Sequence, residues 1–144
     1  MDLAWVHSKR KQAIVSLIFD FSGSTMSTEA LLSIMGNSLS KKIPIQLDEL
    51  TFLIRVFSTS NTFVYIKQFD ISHESIKSQF DKKDFKEEVR KELFIQDANM
   101  VCNIPLFSYL MNKRNIKVIY KWVDINAKPI FEYNVNKVDC QKLK

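Results

Sequence analysis

Seven cations carry the spacing in this chain that most clearly points to binding chemistry. Lys113, Arg114, Lys117 and Lys121 lie in a stretch that holds no acid between Asp97 and Asp124. In an alternating strand Lys117 and Lys121 share one face, and Tyr120 and Trp122 share the other. Lysines at that spacing suit phosphate contact, and aromatic rings beside them suit base stacking. Lys41 and Lys42 form a second basic pair, and Arg55 follows on the next predicted element.

Catalytic constellations are sparse. Gly23 and Gly36 lie too far apart for a phosphate-cradling loop. His7 and His73 have no cysteine or carboxylate at ligand spacing, so no metal is expected. Cys102 and Cys140 do not form a C-x-x-C pair. Two cysteines do not imply a disulfide framework, and Cys102 reads as a buried structural residue. Glu87, Glu88 and Glu92 interleave with Lys86, Arg90 and Lys91, the pattern of surface ion pairs on a helix. We therefore expect no enzyme, no cofactor and no metal.

The elements that must position these residues follow from periodicity. Ile14, Val15, Leu17, Ile18 and Phe21 give one apolar helical face between Ser8 and Phe21. Capping hydroxyls at Ser24–Thr28 precede a second helix with Leu31, Leu32, Ile34, Met35 and Leu39 on one side. Gly36 interrupts it or ends it early. Lys41-Lys42-Ile43-Pro44 breaks the pattern, because proline disfavours helix at the preceding residue. Leu47, Leu50, Ile54 and Phe57 then predict a third helix, which carries Arg55. Thr62–Phe69 reads as a strand. In the second half, Asp84-Phe85-Lys86-Glu87 has the form of a capping box, followed by Phe85, Val89 and Leu93 on one face. Gln96–Asn99 reads as a loop. Asn103 and Pro105 open a further helix with Leu106, Phe107, Leu110 and Met111 inward. Ile116–Val123 and Pro129–Val135 alternate as a β-hairpin, and Asn136–Lys144 reads as a frayed tail.

The expected architecture is α+β, a winged-helix-like helical core followed by a helix-helix-β-hairpin second half. The boundary falls between residues 1–72 and 73–144, with the two halves packed as one compact unit. Hydrophobic content of 46% supports a genuine core. No apolar run reaches the roughly 18 residues of a membrane span, so no membrane partner is expected. Lys9-Arg10-Lys11 precedes an apolar run broken by Ser16 and Asp20, which departs from a secretory pattern. With few cysteines, this places the chain inside the cell, in cytoplasm or nucleus. Net charge is +5, with the larger excess in the second half, which permits polyanion contact without requiring it.

The first half resembles the LOTUS (OST-HTH) winged-helix domain over residues 8–70. The resemblance rests on the basic opening helix ending Ile14-Val15-Ser16-Leu17-Ile18, on Leu31-Leu32-Ser33-Ile34-Met35-Gly36-Asn37, on Ile43-Pro44-Ile45, on Leu47 through Phe57, and on Phe63-Val64-Tyr65-Ile66. It implies a non-catalytic module that binds an RNA helicase or RNA. Asp48 and Glu49 at the start of the would-be recognition helix oppose phosphate contact. The favoured reading is therefore an intracellular adaptor that binds a protein partner within an RNA-regulatory complex. The alternative is direct RNA or DNA binding through the basic aromatic hairpin around residues 113–122.

Overall fold

A computed structural model describes residues 26–73, 76–80 and 82–143. The helix expected over Ser8–Phe21 lies outside them. The elements in order are α1 (Thr28–Ser40), β1 (Ile45–Gln46), β2 (Thr51–Ser58), β3 (Thr62–Phe69), α2 (Lys83–Cys102), α3 (Pro105–Arg114), β4 (Lys117–Val123), β5 (Pro129–Val135) and α4 (Lys137–Lys142). The strands form one five-stranded mixed sheet in the order β1-β2-β3-β4-β5. All pairs are antiparallel except β3 and β4, which run parallel. The chain between those two strands therefore crosses over, and α2 and α3 make that crossing. Strands from residues 1–72 and 73–144 meet at the β3–β4 pair.

The helices lie on one side of the sheet. Register places Phe63 opposite Val118, Tyr65 opposite Tyr120 and Lys67 opposite Trp122 on that inner face. Tyr120 pairs in turn with Tyr133. Phe107 of α3 meets Phe63 edge-on at 5.2 Å between ring centres. Leu32, Met35 and Leu39 of α1 are buried, and Gly36 brings the helix backbone close to the Phe63 ring. Ser27 caps α1, its hydroxyl accepting from the Ala30 N–H at 3.0 Å. Pro105 opens α3, where its missing N–H costs nothing, and Asn115 ends it in the left-handed region at φ 53°.

The winged-helix expectation is corrected. The segment predicted as a third helix is strand β2, paired with β3 across its length. Leu47, Leu50, Leu53 and Val56 are all buried and fall three residues apart, which imitates a helical stripe. The imitation has a physical cause. A bulge between Leu53 and Arg55 inserts one residue into the alternation, so the inward positions jump from Leu53 to Val56. The Lys41–Pro44 turn accordingly leads into a sheet edge and not into a recognition helix.

Three further segments differ. Gly36 lies within α1, which continues to Ser40. Gln96–Asn99 is helical and belongs to α2. Asp84 sits inside the first turn of α2, whose N-cap is Lys82 without a side-chain cap bond, so no capping box forms there. The box occurs instead in the tail expected to fray: Asn136 accepts from Val138 and Asp139, and Asp139 accepts from the Asn136 N–H. α4 is also fastened by a disulfide between Cys102 and Cys140, with 5.5 Å between the Cα atoms.

Candidate functional site

The seven cations do not converge on one surface. Lys41 and Lys42 are exposed at the end of α1. Arg55 is exposed on β2 and lies 5.2 Å from the centre of the Phe57 ring. Register aligns Arg55, Ile66, Lys121 and Glu132 across four strands. Arg55 and Lys121 therefore share the outer face of the sheet, about 10 Å apart at the usual strand spacing. Lys117 occupies the same face, at the start of β4. Lys113 is exposed at the end of α3. Arg114 holds the fold together. Its Nη1 donates to the Met26 carbonyl at 2.7 Å and to Thr28 Oγ1 at 3.2 Å, tying α3 to the start of α1.

The aromatic half of the expected nucleic-acid surface is missing from that face. Tyr120 is 3% and Trp122 0% exposed, both on the helix side. Neither ring can stack on a base without opening the core. The reading of the hairpin as a basic, base-stacking surface is thereby corrected.

A groove lies elsewhere, where α2 passes the outer edge of β5. It is a concavity of about 480 Å³ lined by Arg90, Phe94, Ile119, Glu132, Tyr133 and Asn134. Helical spacing puts Arg90 and Phe94 four residues apart on one side of α2. Phe94 meets the Tyr133 ring edge-on at 5.3 Å. The Arg90 guanidinium lies 5.7 Å from the centre of the same ring, and its Nη2 donates to the Glu132 carbonyl at 3.5 Å, the outer limit for such a bond. Because that carbonyl faces Arg90, it points away from β4. In an antiparallel ladder N–H and C=O of one residue point the same way and alternate along the strand. Glu132 and Asn134 thus present their backbone polar groups outward. Among the described residues no strand pairs with this edge.

The floor of the groove is held from below. Tyr133 donates its hydroxyl proton to Asp97 Oδ2 and accepts from Trp122 Nε1 at 2.9 Å. Asp97 Oδ1 accepts from Lys67 Nζ at 2.6 Å, with both side chains buried. The ammonium lies 5.0 Å from the Tyr120 ring centre and 5.4 Å from that of Trp122. Carboxylate and aromatic faces together replace the water this ammonium gives up. Burial, reinforced by the negative charge of Asp97, holds the Tyr133 phenol well above its ordinary range. Tyr65 is raised for the same two reasons. The network makes the Tyr133 side of the groove rigid. It offers no reacting group to solvent, since Asp97 is 0% and Lys67 4% exposed. Among the described residues no cluster of three or more His, Cys, Asp or Glu could hold a metal ion.

Sequence reasoning passed over this site. Arg90 read as one more solvated helix charge, and Asp97 as a loop residue. The signal that could have found the network is Lys67, the one cation inside a mainly apolar, aromatic strand.

No protein-family model matches the chain, and no curated protein sequence does. Solved structures do. The pilotin EpsS of the Vibrio vulnificus type 2 secretion system superimposes with a TM-score of 0.60 at 16% identity, over 78% of this chain and 91% of its own. The pilotin AspS of the Vibrio cholerae type II secretion system gives 0.57 at 13% identity, over 78% and 91%. The chain shares its fold with these pilotins. A Pseudomonas aeruginosa protein described as secreted gives 0.55 at 16% identity, over 81% and 99%.

These likenesses overturn the LOTUS resemblance, whose helical core the sheet replaces. The RNA-regulatory adaptor reading falls with it, because that reading rested on the winged helix. The intracellular placement is corrected as well. The fold is that of two secretion-system pilotins and a protein described as secreted, and Cys102–Cys140 is a bond characteristic of oxidising compartments.

Proposed function

We propose that this chain is a non-catalytic, pilotin-like protein that works outside the cytoplasm and binds a protein subunit of a type II secretion apparatus. The observation that carries the reading is a pilotin fold with a groove of mixed polarity beside a sheet edge that no strand pairs among the described residues. The groove holds two rings, an aliphatic side chain, one arginine, one glutamate and one asparagine, the mixture of apolar and polar groups found at protein contacts. The buried Lys67–Asp97–Tyr133 network serves shape and not turnover, since it is closed to substrate. The disulfide suits export.

The test is a photo-crosslinking amino acid placed at Phe94 or Asn134 in the full chain, expressed in its native cell. The expected product is a covalent adduct with an envelope protein of the secretion apparatus, identified by mass spectrometry. Adducts only with cytoplasmic proteins, or none from either position, would contradict the reading.

A further inference from the structure

The groove specifies the form of its occupant. The sheet has two edges. β1 spans only Ile45–Gln46, whereas β5 spans Pro129–Val135. Native proteins blunt long edges with lysine, proline, inward charges or a covering helix. In β5 the proline stands at the first position, and among the described residues no strand pairs with the rest of the edge. Glu132 and Asn134 turn their N–H and C=O outward into the groove, and the only described group that meets them is Arg90, at the 3.5 Å limit. Backbone groups in such a row are matched by another extended backbone.

Charge narrows the choice further. Arg90 is half-buried, stacked on Tyr133, and has no carboxylate within ion-pair distance among the described residues. A guanidinium in that position is best answered by a carboxylate from the occupant. A second copy of this chain answers it poorly. Two β5 strands paired about Glu132 would set Glu132 against Glu132 and Arg90 against Arg90, and like charges directly opposite destabilise a strand pair.

We propose that the outer edge of β5 receives an extended segment of a partner protein as a sixth strand, with an acidic side chain against Arg90 and an apolar one against Phe94. The proposal rests on the protein-binding reading above and adds the occupant's chemistry to it.

The test uses the full chain and three labelled eight-residue peptides of alternating valine and threonine, carrying glutamate, glutamine or lysine at one central position. Binding is read by fluorescence anisotropy and the site by amide shifts in isotope-labelled protein. The glutamate peptide is expected to bind about tenfold more tightly than the glutamine peptide, with the largest shifts at Glu132 and Asn134. Arg90→Gln should remove that tenfold preference, and Arg90→Glu should transfer it to the lysine peptide. Equal affinities for the three peptides would overturn the proposal. So would no binding up to about 1 mM, shifts confined to Phe57, Ile66 and Val123 on the outer face, or a concentration-dependent dimer that shifts β5. If these results arise while crosslinks from Phe94 persist in cells, strand addition is wrong and protein binding stands.

Discussion

Removing the Asp97 carboxylate should destabilise the protein by an amount that shrinks as pH rises. In Asp97→Ala, Lys67 remains 4% exposed without the carboxylate it pairs with, and the Tyr133 hydroxyl loses its acceptor. Removing one partner of a buried ion pair costs about 3–5 kcal/mol, and depriving a buried hydroxyl of its acceptor about 1–3 kcal/mol. The first cost has a ceiling, because the buried lysine can release its proton. From an ordinary pKa of about 10.4, deprotonation costs about 4.6 kcal/mol at pH 7 and about 1.9 kcal/mol at pH 9. At pH 9 the unfolded variant keeps the lysine protonated while the folded variant does not. The unfolded state then binds more protons, so the variant's stability rises with pH. We expect a loss of about 4–7 kcal/mol at pH 7, falling by about 1–3 kcal/mol at pH 9. Urea unfolding followed by tryptophan fluorescence measures both, with Trp122 as a reporter inside the network. Lys67→Met with Asp97→Asn should recover most of the loss, since asparagine can still accept from Tyr133. A pH-independent loss, a loss below about 1 kcal/mol, or additive costs for the two sites would refute the reasoning.

Three further outcomes are expected. Replacing Cys102 and Cys140 by serine should cost about 4 kcal/mol in urea unfolding, from the loop entropy of a 38-residue separation, with amide protection lost first in α4. Gly36→Ala should raise stability by about 0.5–1 kcal/mol, because its Cβ would meet Phe63 at an ordinary 3.8 Å inside a helix; a lowered thermal midpoint contradicts this. Tyr65 and Tyr133 are held above their usual range, so their neutral forms favour the fold. Their contribution is intact below pH 10 and is lost above it, by about 1.4 kcal/mol per pH unit for each phenol. Ultraviolet titration should show both ionising only as the fold opens.

Much of the secondary structure is legible in the chain, and little of the tertiary arrangement is. α1, β3, α3 and the β4–β5 hairpin follow from local period and turn chemistry. β2 does not, because its bulge carries the inward positions from Leu53 to Val56, which extends the three-residue spacing already set by Leu47 and Leu50 ahead of the strand. α2 looks interrupted at Gln96–Asn99 because Asp97 is polar, yet the residue is buried by pairing with Lys67 thirty positions earlier. The parallel β3–β4 pair and the Cys102–Cys140 bond are likewise long-range, with no local signature. The groove depends on the Asp97–Lys67 pairing and the β3–β4 crossover, since α2 must run unbroken past the edge strand that the crossover delivers. No residue of the groove is unusual by itself.

Affinity for the secretion-apparatus subunit identified by crosslinking tests the central claim most directly, with wild-type chain compared against Phe94→Glu. The substitution places a charge in the groove, where Phe94 is half-buried and packed against the edge of the core. If the groove is the protein-binding face, Phe94→Glu keeps its fold by circular dichroism and loses at least about tenfold in affinity. Unchanged affinity in a folded variant would place the binding face elsewhere and contradict the account.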